Sequence, residues 1–240
     1  MNYEVDRGVL IYNGIDTRDF GVWLSGSGTY DAPARYYTSV VIPGRNGTLT
    51  VDSGAFEEVD HIYPAFIPEN FNANIEGLRN LLLANPGYHR LEDGYHPEEY
   101  YLAKFMDGLS VDVAPRAIGG SFSMKFRRDP RRFLRSGELS VPILNGGHID
   151  NPTSFPSKPV IEVTGYGQLT IGSQVITITN QYASIIIDCE MMDCYSGTYN
   201  ANAYVTFAGN DFPVLNPGQN NITFANTITA LKITPHWWRV

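Results

Sequence analysis

The sequence predicts a mainly β protein in two parts, a β-rich first part with one α-helix and a β-sandwich second part. Three observations lead there. Aromatic residues reach 12% and the 240 residues include 23 Gly and 15 Pro, a composition of strands and turns. Only one segment carries helical periodicity. In the second part, short apolar runs alternate with turn signals about every ten residues, the spacing of two-sheet sandwiches.

The elements follow in order. Residues 8–12 form an apolar run closed by the turn Asn13-Gly14. Residues 37–42 read as a strand, Pro43-Gly44-Arg45-Asn46-Gly47 as a dense turn signal, and 48–51 as the strand after it. Val59, Ile62, Phe66 and Ile67 indicate a further strand, broken by Pro64. Phe71, Ile75, Leu78 and Leu82 share one helical face, with Asn72 or Asn74 expected to cap the start and Asn85-Pro86-Gly87 to stop the helix. In the second part, 169–171 and 174–178 make a hairpin around Gly172-Ser173. Its register pairs Leu169 with Ile176 and puts Ile171 and Ile178 on one face. Further strands are expected over 160–164, 184–188, 203–207, 222–224 and 230–234.

Charge divides the chain. Residues 1–137 hold 14 Lys/Arg and 18 Asp/Glu, and residues 138–240 hold 3 and 7. The change follows a basic run from Lys125 to Arg135 and precedes a Gly/Pro/Asn-rich stretch. The expected division is therefore 1–138 and 139–240. A net charge of -8 is the wrong sign for a nucleic-acid binder. No stretch is long and apolar enough to span a bilayer, and Met1-Asn2-Tyr3-Glu4 lacks the basic-then-apolar pattern of a secretory signal.

No motif for hydrolysis, phosphate binding or dinucleotide binding is present. His89, Glu92, Asp93 and His96 are the nearest approach to a metal cluster, but their spacing fits no ligand pattern and a polar loop is the better reading. Glu57-Glu58 and Glu98-Glu99 are adjacent pairs, which on a strand point to opposite faces and so cannot form a glycosidase dyad. Cys189 and Cys194 read as buried small hydrophobes, with a disulfide requiring a turn between them. Arg127, Arg128, Arg131, Arg132 and Arg135 read as an interface strip. Of Trp237-Trp238, one residue is expected in a core and the other at an interface.

Several segments, taken in order and spacing, resemble the distal tail proteins of siphophages and prophages of Gram-positive bacteria. They are Ile11-Tyr-Asn-Gly-Ile-Asp-Thr-Arg-Asp-Phe-Gly21, Ile42-Pro-Gly-Arg-Asn-Gly-Thr-Leu49, Leu78-Arg-Asn-Leu-Leu82 with Gly87-Tyr-His-Arg-Leu91, and the stretch from Phe122 to Gly137. In the second part they are Asn151-Pro-Thr153 with Pro159-Val-Ile161, Asn210-Asp-Phe-Pro-Val-Leu-Asn-Pro-Gly218 and Pro235-His-Trp-Trp238. His236 stands where the family pattern has a basic residue, and Cys189 is an uncommon choice beside Asp188.

The resemblance implies an N-terminal domain of β-sandwich or split-barrel type with one helix and an extended hairpin, followed by a galectin-like sandwich. It implies a non-enzymatic hub of the tail tip and baseplate, without cofactor or metal. That hub is a homo-hexameric ring between the tail tube and a tail-associated lysin, fibre or receptor-binding protein. The tape-measure protein and DNA would pass through the bore without specific binding, and the acidic excess suits that passage. Location would be the virion tail tip, after synthesis in the bacterial cytoplasm. The alternative is a carbohydrate-binding, lectin-like module aiding host adsorption, although the second part has only Lys158, Lys232 and Arg239 as cations for a sugar site. A tail-associated hydrolase and a tail-tube subunit are further readings.

Overall fold

The structure, a computed structural model, describes residues 8–26, 28–29, 31–113, 118–209 and 211–240. The segment Met1–Glu4 and Asn210, both used in the sequence reading, lie outside the described residues. The chain divides into two compact units, residues 1–132 with Val240, and residues 133–239.

In the first unit the strands are β1 (Leu10–Tyr12), β2 (Ile15–Asp16), β3 (Trp23–Leu24), β4 (Arg35–Val41), β5 (Thr48–Phe56) and β6 (Val59–Ile67). After helix α1 (Phe71–Leu83) come β7 (His89–Asp93), β8 (Glu99–Phe105), β9 (Val111–Val113) and β10 (Gly120–Leu134). The large sheet runs β2-β1-β7-β8-β10-β6-β3, with β9 added to the start of β10. Its path has two ends and does not close into a barrel.

Strict alternation explains this sheet. Along β6, His61, Tyr63, Ala65 and Ile67 are buried while Asp60, Ile62, Pro64 and Phe66 face out. Pro64 does not break the strand, contrary to the sequence expectation. Its carbonyl accepts from the Ser25 N–H at 2.8 Å, so its donorless nitrogen points to the side where the two-residue β3 has already ended. Helix α1 buries Phe71, Leu78, Leu81 and Leu82. The capping expectation is corrected too. Asn70 precedes the helix in the left-handed region without a side-chain cap bond, and Asn72 and Asn74 lie inside the helix. In the same core, the Phe126 ring sits 5.1 Å from Tyr12, 5.5 Å from Phe105 and 5.9 Å from Tyr63.

The second unit is a sandwich of two antiparallel sheets. Its strands are β11 (Val141–Pro142), β12 (His148–Asn151), β13 (Val160–Gly165), β14 (Gly167–Ile171), β15 (Gln174–Ile178) and β16 (Ser184–Asp188). They continue with β17 (Asp193–Ser196), β18 (Tyr199–Asn200), β19 (Val205–Phe207), β20 (Gly218–Phe224), β21 (Ile228–Thr234) and β22 (Trp238–Arg239). One sheet runs β11-β21-β13-β16-β17-β18 and the other β12-β20-β14-β15-β19. Leu169 pairs with Ile176, and Leu169, Ile171, Ile176 and Ile178 are all buried between the sheets. Two buried asparagines secure the loops. Asn151 Nδ2 donates to the Leu215 and Phe155 carbonyls at 3.0 and 2.9 Å, and its Oδ1 accepts from Thr153. Asn220 bridges the Asn216 N–H and the Asn216 and Gly218 carbonyls. These bonds give Asn151-Pro-Thr153 and the stretch up to Gly218 a structural meaning, since buried amides must be satisfied.

Candidate assembly interface

Among the described residues, strands β4 and β5 pair only with each other. Every residue from 34 to 55 is exposed, on both faces of the ribbon. The sequence favours a ribbon here because Tyr, Thr and Val dominate β4, Thr48, Thr50 and Val51 start β5, and Gly44 and Gly47, at φ +78° and +82°, take the left-handed turn positions. A free two-stranded hairpin is only marginally stable in water, so this one needs a surface to lie on.

The register gives the ribbon two unlike faces. Thr38 opposes Val51 and Val40 opposes Leu49 on one face; Tyr37 opposes Asp52, Ser39 opposes Thr50 and Val41 opposes Thr48 on the other. The first of these faces carries no charge, and Val40 and Leu49 on it are each 45% exposed. A bulge near Arg35 sets the root. There Arg35 pairs with Asp52 at 3.0 Å, its guanidinium covers the Phe56 ring at 4.6 Å, and the Ser53 hydroxyl donates to the Tyr36 carbonyl. Both strands and the turn match the sequence expectation, and the pair corresponds to the extended hairpin that the family resemblance implies.

The basic run is placed differently. Arg127 binds Asp60 at 2.8 Å, Arg131 binds Asp129 at 2.9 Å, and Arg132 binds Glu99 at 3.3 Å and the Val240 carbonyl at 2.7 Å. Arg128 is buried over the Tyr101 ring, 3.5 Å from Asp31. Arg135 is half-buried in the short turn after β10. Arg127, Arg128, Arg131 and Arg132 thus have carboxylate partners within the chain. On the outward face beside Arg127, Lys125 reaches Asp60 and Asp107, and Lys104 reaches Glu58. Hydrogen bonds from Arg127 and Lys125 hold the Asp60 carboxyl down at about 2.

Other candidate residues go to packing. His89 stands edge-on to the Tyr12 ring at 5.7 Å, Glu92 bonds Arg90, and Asp93 pairs with His96 at 2.9 Å. Among the described residues, no group of three or more His, Cys, Asp or Glu is arranged to hold a metal. Trp237 is buried in the sandwich core, while Trp238 stacks on Phe155 at 4.6 Å and donates to the Pro156 carbonyl. Trp237 is closed to a sugar by burial, and one face of the Trp238 indole is covered by Phe155.

Cys189 and Cys194 flank the β16–β17 turn as free, buried thiols. Burial, with Asp193 beside it, pushes the Cys194 thiol up to about 12; burial, Asp188 and the neighbouring Cys194 raise Cys189 as well. A chromogenic disulfide reagent is therefore expected to titrate neither thiol in the folded protein and both in urea. Rapid reaction in the native state would show that this turn opens.

No protein-family model and no curated protein matches the chain. Solved structures do. The chain is similar to the Dit protein of phage SPP1, described as a paradigm of the hub adsorption apparatus in Gram-positive-infecting phages. The TM-score is 0.72 at 10% identity, over 97% of this chain and 99% of that one. It is also similar to a chain of the phage p2 baseplate in its activated conformation with strontium, with a TM-score of 0.50 at 10% identity over 97% of both chains. The chain has the fold of the SPP1 protein throughout its length.

Proposed function

We propose that this chain is a structural hub of a phage tail tip and acts by assembly rather than catalysis. The observation that carries the reading is the uncovered β4–β5 ribbon in a chain that shares its whole fold with a tail adsorption hub. A surface of this kind is complete only in an assembly. The ribbon and the body are different surfaces of one chain, so their contact is heterologous, the kind that forms a ring when its rotation closes. We assign six copies to the ring, the first unit (residues 1–138 in this reading) to ring formation, and the second, galectin-like unit to the periphery. One side of the ring meets the tail tube. The other meets a tail-associated lysin or fibre, or the receptor-binding apparatus, and the tape-measure protein and DNA pass through the bore. The cation strip from Arg127 to Arg135 lies beside this contact in the proposal and contributes through its rim.

Native mass and negative-stain imaging of the purified chain test it. The expected result is a six-fold ring with a central hole and about six times the 26.7 kDa chain mass. A monomer at every concentration, with or without tail-tube protein, would overturn the ring.

A further inference from the structure

We infer that the step Asn46-Gly47 is a site of spontaneous covalent modification, in which the asparagine converts to aspartate and isoaspartate through a cyclic imide, and that the fold singles it out from the other Asn-Gly steps of the chain. In this reaction hydroxide takes the proton of the glycine N–H, and the nitrogen attacks the asparagine Cγ. The Cγ–Nδ2 bond breaks and the amide nitrogen leaves as ammonia. Water then opens the five-membered imide at one carbonyl or the other. One opening gives aspartate, and the other gives isoaspartate, with an extra methylene in the main chain. Nothing is oxidised, and water and hydroxide are the only co-reactants. The fold must supply three freedoms: a side-chain amide that can turn, a glycine nitrogen without an acceptor, and a Cα–C bond that can rotate until the two atoms meet.

The sequence holds three such steps, Asn13-Gly14, Asn46-Gly47 and Asn145-Gly146. Asn145 lacks the first two freedoms. Its Nδ2 donates to the Phe224 carbonyl at 2.8 Å, its Oδ1 accepts from the Phe224 N–H at 2.8 Å, and the Gly146 N–H is bonded to the Ile222 carbonyl at 3.0 Å. Asn13 is exposed but lacks the third. Its N–H donates to the Arg90 carbonyl at 2.9 Å, and Asn13 and Gly14, at φ +52° and +76°, are the central residues of a hairpin turn whose flanks Tyr12 and Ile15 are paired. Asn46 has all three. Among the described residues, neither its side chain nor the Gly47 N–H makes a hydrogen bond. The nearest main-chain ties are the Arg45 N–H to the Ile42 carbonyl at 3.2 Å on one side and the pair Val41–Thr48 on the other. Both residues are exposed, and space is open around the Gly47 Cβ position, so no side chain shields its nitrogen. The product sets a carboxylate beside Arg45, the cation of the ribbon tip, and takes the net charge one unit below -8.

Ageing the purified full chain at mildly alkaline pH tests this, with samples digested in acid, where the reaction halts, and mapped by mass spectrometry. The peptide across 46–47 is expected to gain the mass of an amide-to-acid change first, as a mixture of aspartate and isoaspartate. The two side-chain bonds of Asn145 alone make its conversion about thirtyfold slower than that of Asn46. Asn13 is expected to fall between them. In urea the fold is gone, and the three steps are expected to convert at similar rates. Asn46→Gln, whose longer side chain closes a six-membered ring far less readily, should remove most of the isoaspartate formed by the folded chain and leave its circular dichroism unchanged. Three results would each overturn the inference: folded-chain conversion at Asn46 no faster than at Asn13 or Asn145, the same ranking retained in urea, or undiminished isoaspartate in Asn46→Gln.

Discussion

Asp93→Ala is expected to destabilise the first unit by about 4 kcal/mol. The estimate comes from counting donors. Asp93 is buried, and its carboxylate accepts from the Tyr63 hydroxyl at 2.7 Å, the His96 ring at 2.9 Å and the backbone N–H groups of Tyr95 and His96 at 3.0 and 2.9 Å. Removing it strands four donors, at roughly 1 kcal/mol apiece. Asp93→Asn keeps an acceptor oxygen but presents an amide to these donors, and should cost about half as much. Urea melts of the first unit's transition measure both. A loss below about 1 kcal/mol for the alanine variant would mean that water replaces the carboxylate.

The same cluster sets the expected acid dependence. Burial alone would raise the Asp93 carboxyl, but hydrogen bonds from His96 and Tyr63 outweigh it and hold the group below the usual carboxylate range. Its contribution is present above about pH 4 and is lost as pH falls through the lower, folded value. His61 adds an earlier limb. Burial and the Arg128 charge lower it against the opposing pull of Asp31, 2.5 Å away, and of Asp93; the Thr29 hydroxyl and the Tyr63 ring complete its surroundings. A histidine lowered in the fold is stabilising while neutral, so stability begins to fall as pH drops below about 6.5. In Asp93→Ala the limb below pH 4 should flatten and the His61 limb should persist.

This cluster also shows why some of the molecule was readable from sequence and some was not. Asp93 and His96 were visible beside His89 and Glu92, but the polar-loop reading of that stretch is corrected: residues 89–93 form strand β7, and Asp93 and His96 are buried. Tyr63, which makes Asp93 a buried junction, lies 30 residues away and is brought in by sheet order alone. The basic run was equally visible, but its partners Asp60 and Glu99 lie 67 and 33 residues from Arg127 and Arg132. Local patterns were more readable. The helix followed from its apolar face, and the hairpin of β14 and β15 followed from Gly172 with its register. Pro64 misled because proline excludes one hydrogen bond, not a strand. Whether that bond is missed depends on where β3 ends. The ribbon's two strands were local, whereas the absence of anything covering them is a property of the whole fold.

Gly137→Ala is expected to cost the second unit about 3 kcal/mol, a loss unlike that of an ordinary linker glycine. In the sequence Ser136-Gly137 opens a Gly/Pro/Asn-rich stretch and reads as a boundary signal. In the structure Gly137 is buried where the chain meets its own C-terminal segment. The His236 N–H donates to the Gly137 carbonyl at 2.8 Å, and the Leu134 N–H donates to the Trp237 carbonyl at 2.9 Å. A Cβ on Gly137 would lie 2.3 Å from the Trp237 nitrogen and 3.1 Å from its Cβ. The obstacle is main chain, which cannot rotate aside as a side chain can, so the two segments must separate. Separation pulls Trp237 from a core in which it is only 5% exposed. The measurable consequence is a red-shifted tryptophan emission, with the melting temperature of the second unit falling by roughly 10–20 °C. Gly146→Ala is the control for glycine as such. Gly146 takes φ +79° but has open space around its Cβ position, so it should lose only the roughly 1 kcal/mol of backbone strain and leave the emission unchanged. Equal effects of the two substitutions would refute the close-approach argument and return Gly137 to the role of a linker.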